Sequence, residues 1–343
     1  MKIVFLSDFF LSGQTTHVLE LAKQLSRMDQ KVHISFGQIH SRLFFTHYVP
    51  LLKSWGISFS QGNGIARALY YFNPAKPDIL HCHSSTLFNK ARRLASQLRI
   101  PYVLTCHGLG FSHPKYIKDL QGARCVIAVG PRVAEEILPI TSQVVIIPNG
   151  IDTTHFVPPS STNKPRRDIL NVGRMDNRRF RSLSRLSQTL NDEFDLSLSV
   201  IADWDPQIRN TRFVPWQVDV VPYLQESGIV AASGRTAREA LSCGNAVLLM
   251  QKTYDGLISP SLVTKGDFDF SGNLGRYPFG RLKSDLERLL SSPTRLKRVQ
   301  TWSRSYAVEN LDSAVMAKQT LDVYHEILDS DYPFTSRSPK PFS

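Results

Sequence analysis

Apolar and polar residues alternate along this chain in short blocks, and the blocks change period. Lys2-Ile3-Val4-Phe5-Leu6 opens with β-rich apolar residues and predicts a buried strand. A turn at Ser12-Gly13-Gln14 follows. Val18, Leu21, Ala22 and Leu25 then recur at helical spacing, with Thr15 or Thr16 as the cap. Residues 31–36 predict a second strand. Strand, turn, one-faced helix and strand make a β–α–β unit, which implies parallel strands and a right-handed crossover. The alternation continues through strands at 78–83, 101–106, 125–129 and 144–150, with helices at 89–98 and near 131–138. Several strands end in His, Gly, Asn or Asp. Ligands of parallel sheets bind at strand C-termini, so these polar ends suggest a binding edge.

The pattern breaks once. Pro158, Pro159, Ser160, Ser161, Asn163, Lys164, Pro165, Arg166 and Arg167 concentrate proline, serine and charge between two apolar regions, which reads as a linker. The α/β alternation then restarts. Residues 168–172 form a strand ending at Gly173-Arg174, and a basic stretch around Arg178-Arg179 leads into a helix through Leu183, Leu186 and Leu190. Strands are expected at 196–201, 219–221, 228–232 and 246–250, loops over 255–280, and helices at 282–290, 293–308 and 313–328. The expected organisation is an N-terminal α/β domain over 1–157, a linker over 158–167 and a second α/β domain over 168–312. A helix over 313–328 returns to the first domain, and 329–343 form a frayed tail.

Composition narrows the class. The chain has 343 residues and is 42% hydrophobic, enough for two cores. No apolar run approaches the ~20 residues that span a bilayer, and the N-terminus enters a strand without the pattern of a secretory peptide. Cys82, Cys106, Cys125 and Cys243 lie in apolar segments without metal-ligand spacing, as reduced cytoplasmic cysteines do. The net charge of +12 attracts nucleic acid, anionic lipid or phosphorylated small molecules alike. With no zinc-finger, helix-turn-helix or RNA-binding signature, nucleic acid ranks last.

The stretch that discriminates is Ser233-Gly234-Arg235-Thr236-Ala237-Arg238-Glu239. A buried strand breaks at Ser233-Gly234 and feeds directly into a helix. Such a turn offers backbone N–H groups and the positive helix end, which suit an anionic or hydroxyl-rich ligand. Glu239, one turn in, has the chemistry to accept from a ribose diol. A plain strand–turn–helix connection fits this stretch equally well.

Taken together, these segments resemble a retaining glycosyltransferase of family 4 with the GT-B fold, two Rossmann-like α/β/α domains facing across a cleft. Six segments in the family's order carry the resemblance: Ser12–Ala22, Pro77–His83, Thr105-Cys106-His107-Gly108, Ile147–Asp152 with Phe156 and Pro158, Val172-Gly173-Arg174, and the stretch ending in Glu239. There are departures. Of the family's two glutamates with seven residues between them, Glu239 matches the second and Ala231 stands at the first. The Ser-Gly-Arg-Thr turn points to a subset of the family, and Arg179 stands where a lysine is usual.

What the resemblance implies is a nucleotide-sugar donor as co-substrate, no cofactor, no metal, and transfer with retention of configuration. Arg174 and Arg179 would grip the diphosphate, and His107 would contact the transferring sugar. Gly13 would admit ligand to the first-domain backbone, with His17 beside it. Ser233, Gly234, Arg235 and Thr236 would hold sugar or phosphate, and Glu239 the ribose. The expected acceptor is a lipid-linked or saccharide group in cell-envelope glycan synthesis. His40–Trp55 interleaves basic and aromatic residues that suit either an anionic membrane surface or an ordinary amphipathic core face. Two alternatives stay open: an accessory subunit with weakened activity, and a GT-B sugar-nucleotide epimerase.

Overall fold

The computed structural model describes residues 1–62, 71–72, 76–160, 168–194 and 196–329. The chain divides into two units, Met1–Gly150 with Ser313–Ser343, and Ile151–Asp312.

Unit 1 is built on β1 (Lys2–Phe9), β2 (Lys31–Ile39), β3 (Ser58–Gln61), β4 (Ile79–Cys82), β5 (Tyr102–Cys106), β6 (Cys125–Ala128) and β7 (Val144–Ile146). They pair in parallel in the order β3-β2-β1-β4-β5-β6-β7. Alternation along β1 feeds two apolar layers. Ile3 and Phe5 join Leu21, Ile34 and Tyr324 on one face. Val4 and Leu6 join Phe88, Leu104 and Leu120 on the other. Both faces are therefore covered, as parallel sheets require. The helix Ser313–Asp329 belongs to this unit through Met316, Val323, Tyr324 and Ile327. Its first residue is held by polar contacts: Ser313 Oγ donates to Glu20 Oε1 at 2.9 Å and accepts from Gln24 Nε2 at 3.0 Å.

Unit 2 contains β8 (Ile169–Val172), β9 (Leu198–Ala202), β10 (Thr211–Pro215), β11 (Ile229–Ala232), β12 (Ala246–Met250) and β13 (Tyr254–Leu257). The order is β10-β9-β8-β11-β12-β13, with only β13 antiparallel. In each unit the strand order reverses beside the first strand, between β1 and β4 and between β8 and β11.

Several elements differ from the sequence reading. Residues 219–221 are not a strand. Asp219 Oδ1 accepts from Val221 N at 3.0 Å at the start of the helix Val221–Glu226, where Pro222 fits the first turn and would interrupt a sheet ladder. The expected loop over 255–280 instead begins within β13 and contains the short helix Pro260–Val263. The unit boundary falls at Gly150/Ile151, ahead of the proline-rich stretch. A Cβ at Gly150 would come 2.6 Å from Ser313 Cα, whereas Ile151 already pairs with Asp312 in unit 2. Residues 152–157 are fixed in unit 2 by Arg304, whose Nη1 donates to the carbonyls of Thr153, Phe156 and Ser242. Most of the expected linker, 161–167, and the tail from 330 lie outside the described residues.

Candidate functional site

In unit 2 the reversal between β8 and β11 opens a crevice at their carboxyl ends, where open α/β sheets take ligands. The β8 end delivers Gly173 and Arg174, and Asp176 then caps the helix Asn177–Glu193 by accepting from Arg178 N and Arg179 N at 2.9 and 2.8 Å. That cap fixes where Arg179 starts. Its side chain folds back over the strand end, and Nη1 donates to the Arg174 carbonyl at 2.6 Å. A Cβ on Gly173 would overlap that guanidinium, so the glycine makes the approach possible. Burial pulls the Arg179 pKa down, Asp176 opposes, and the Arg174 charge adds to the decrease. Arg174 itself is exposed. Two cationic side chains thus stand at this strand end, one held over the backbone and one exposed to water.

The β11 end delivers the other half of the crevice. Ser233 is the N-cap of the helix Gly234–Ser242, and its side chain makes no capping bond. Gly234 has φ +59°, with open space where a Cβ would project, and its N–H is taken by the Phe270 carbonyl at 2.5 Å. The left-handed backbone is the reason for glycine here. The N–H groups of Arg235 and Thr236 have no acceptor within the helix. Glu239 is buried at 7% exposure, and Arg235 Nε donates to its Oε1 at 2.6 Å. The carboxylate is therefore already engaged on one oxygen by a residue one turn earlier in the helix.

In unit 1 the crevice lies between β1 and β4. Ser12 caps the helix Gly13–Arg27, accepting from Thr15 N at 3.3 Å, and Gly13 is its exposed first residue. The polar turn after β4 is tied to the β1 end: Ser84 Oγ accepts from Asp8 N at 2.8 Å and from Gln14 Nε2 at 2.7 Å. His83 follows β4, His107 follows β5, and His17 lies one turn into the helix. Their rings converge, with centroids 4.7 Å apart for His17 and His107, 5.6 Å for His17 and His83, and 5.7 Å for His83 and His107. Neither ring nitrogen of His83 or of His107 has a hydrogen-bond partner in the protein. Burial drives the pKa of both well below 6.5, and neighbouring histidines lower them further. Both rings are therefore neutral at pH 7, with lone pairs to offer.

His81 is different. Its Nδ1 meets Tyr324 Oη at 2.5 Å and its Nε2 meets Thr105 Oγ1 at 2.7 Å, so it is a satisfied core histidine.

Residues 11–155 match the model of Glycosyltransferase Family 4. The chain superposes on a glycosyltransferase from Rickettsia africae with a TM-score of 0.75 at 17% identity, covering 96% of this chain and 100% of that one. It superposes on Anabaena HepE in complex with UDP and glucose with a TM-score of 0.70 at 14% identity, covering 95% and 100%. Sucrose-phosphate synthase from Thermosynechococcus elongatus gives 0.68 at 16% identity, covering 96% and 100%. The fold is GT-B. No curated protein sequence matches the chain. The family match covers most of unit 1 and ends five residues into unit 2, and the GT-B likeness extends over both units. Together they support a glycosyltransferase.

Within this GT-B frame, the structure relocates one departure from the family pattern. Ala231 is fully buried inside β11, packed among Ile169, Leu198 and Leu248, and its carbonyl accepts from Asn171 Nδ2 at 2.6 Å. A glutamate there would enter the core and not the crevice. Ser233 alone separates β11 from its helix.

Sequence reasoning also missed Arg238. It is buried at 9% exposure with its guanidinium 4.2 Å from the Phe270 ring, and burial pushes its pKa down to about 10. The helical spacing from Arg235 was visible, but the aromatic shelf 32 positions away was not. In His40–Trp55, Phe44 and Leu52 face the core while Phe45 is 56% exposed. Among the described residues, no helix is long and apolar enough to cross a membrane.

Proposed function

We propose that this chain is a retaining glycosyltransferase that moves a sugar from a nucleotide-sugar donor to a lipid-linked or saccharide acceptor in cell-envelope glycan synthesis. The observation that carries this reading is the pairing of Arg174 and Arg179 with the Ser233–Thr236 turn at one strand reversal of a GT-B unit. As the glycosidic C–O bond breaks, charge builds on the departing diphosphate. Fixed cations and backbone N–H groups stabilise such charge without reorganising at the moment of reaction. Arg179 is the fixed cation, and Arg174 reaches from water. The first-turn N–H groups of Arg235 and Thr236 add dipoles of the right sign.

The other roles follow from position. Glu239 holds the ribose through its carboxylate. His107 meets the transferring sugar as a neutral imidazole that can both donate and accept. Retention fits same-face attack, with a leaving phosphate oxygen taking the acceptor proton, and no side chain is assigned as a nucleophile. The UDP complexes of HepE make uridine-diphosphate sugars the first donors to try. Exposed Phe45, flanked by exposed Arg42 and Lys53, supports contact with an anionic inner membrane face that presents a lipid acceptor. Flotation of the protein away from anionic liposomes at physiological salt would remove that contact.

The test is a thermal-shift and turnover screen against a panel of nucleotide sugars. Stabilisation by one donor, with slow nucleotide release that quickens in envelope lipid extract, is the expected result. Stabilisation without turnover under any acceptor would favour an accessory GT-B subunit, and C2 inversion of the donor sugar would favour an epimerase.

A further inference from the structure

The three histidines of unit 1 form a group whose chemistry the transfer reading does not use up. His17, His83 and His107 each present a ring nitrogen, and these atoms all lie within 4.8 Å of one another. Three elements bring them there: the helix after β1, the end of β4 and the end of β5. Imidazoles gathered in this way have few uses. A hydrogen-bonded core network would leave His83 and His107 with partners, and the protein supplies none to their four ring nitrogens. A buried polar atom without a hydrogen-bond partner is costly, so a ligand that engages several at once is favoured.

We propose that His17, His83 and His107 form a binding site for a borderline divalent cation of the zinc class. Three imidazoles plus one open position is a donor set that Zn²⁺ accepts, with Zn–N bonds of about 2.0–2.1 Å. Nitrogens on a tetrahedral ion at that bond length stand roughly 3.3 Å apart, so the rings need to close by about 1.5 Å at most from their present spacing. Small χ rotations of three side chains suffice for that movement. The ligand set excludes harder cations, since magnesium and calcium want oxygen donors and the group offers nitrogen alone. His107 follows the last residue of β5, and three imidazoles leave the fourth position on the ion for water.

His81 supports the site from behind. Its ring centroid lies 4.0 Å from that of His83, and its two hydrogen bonds hold it in place. It therefore acts as a wall for His83 and not as a fourth ligand. The proposal departs from the metal-free expectation, but it concerns unit 1 and leaves the diphosphate of unit 2 to arginine. Nor does it depend on the chain being a transferase. Where it is one, a cation on His107 withdraws that ring from the sugar, and zinc acts as an inhibitor.

The experiment uses the full chain stripped with a chelator and titrated with Co²⁺ alone. The expected result is one equivalent bound at micromolar concentration, with the intense visible absorption of a four-coordinate site. His83→Ala should abolish that absorption and weaken binding at least 100-fold, while His155→Ala, at an exposed position of unit 2, should change neither. X-ray absorption on the zinc-loaded wild-type protein tests the ligand set without any variant, and three imidazole nitrogens at about 2.0 Å are expected. Substoichiometric cobalt uptake, six-coordinate spectra, or binding unchanged in a folded His83→Ala protein would overturn the proposal. Inhibition of turnover by zinc without this spectrum would point to another site and overturn it equally.

Discussion

The buried imidazoles make unit 1 acid-sensitive in a way unit 2 is not. His81, His83 and His107 all have their pKa driven well below 6.5, chiefly by burial. Below pH 6.5 the unfolded chain therefore binds protons that the folded chain refuses. Stability rises with pH wherever the unfolded state holds more protons, so the contribution is complete above 6.5 and is lost as pH falls. A group that stays wholly unprotonated in the folded state costs about 1.4 kcal/mol at one pH unit below an unfolded pKa near 6.5, and that is the ceiling for each. Three groups set a ceiling of roughly 4 kcal/mol, against a domain's usual 5–15 kcal/mol. The assay is amide hydrogen exchange in a chelator, corrected for intrinsic rates. Slowly exchanging amides of β1, β4 and β5 should lose protection between pH 7.5 and 5.5, by up to about 10³-fold. Unit 2 is the internal control, because its one histidine is His155, with a side chain 55% exposed. Unchanged protection in β4, or an equal loss in β8 and β11, would refute the reasoning.

Other variants test the crevice of unit 2 and the sugar contact of unit 1. Arg174→Ala should lower turnover by about 10²–10³ with the fold intact, as loss of one charge-stabilising group does; near-normal rates would remove the diphosphate assignment. Gly173→Ala should imitate Arg179→Ala in nucleotide affinity, because the added methyl displaces the guanidinium, and titration calorimetry on both variants checks this. His107→Ala should reduce kcat more than it weakens nucleotide binding, and equal losses would make the ring structural. Arg235→Ala should tighten binding of the nucleoside alone while weakening that of the diphosphate. A change in the same direction for both ligands would show that Arg235 does not compete for Glu239.

The strand ends were legible because a parallel sheet places them by rule. Once Leu80-His81-Cys82-His83 and Leu104-Thr105-Cys106-His107 read as strands, both histidine ends had to lie on one edge. The same logic put Gly173-Arg174 beside Ser233-Gly234. What a single sequence could not show was which partners the side chains would choose. Two histidines two positions apart share a face of the strand and still differ: His81, inside β4, is fully bonded within the core, and His83, just past its end, has no protein partner. Short edge strands such as β3 and β10 were missed because four or five residues carry too little period to stand out from loops. Nor could the sequence show that Ala231, with seven residues between it and Glu239, lies inside β11 and points its small side chain into the core.

The turn that follows β11 bears on how the donor would be received. Arg235 and Glu239 form a close pair with side chains 22% and 9% exposed. Separating such a pair without replacement is expensive, because each charge would lose its partner in a poorly hydrated place. A nucleotide-sugar offers a replacement for both. Its diphosphate can take the guanidinium, and its ribose diol can donate to the carboxylate that the guanidinium leaves. Neither half of the ligand supplies both exchanges: free phosphate strands Glu239, and a bare nucleoside strands Arg235. On the proposed transferase reading the pair would favour intact diphosphate nucleosides over their fragments, with Arg235 lying in the first turn of the helix. The selectivity comes from the cost of an incomplete exchange and not from an additional contact.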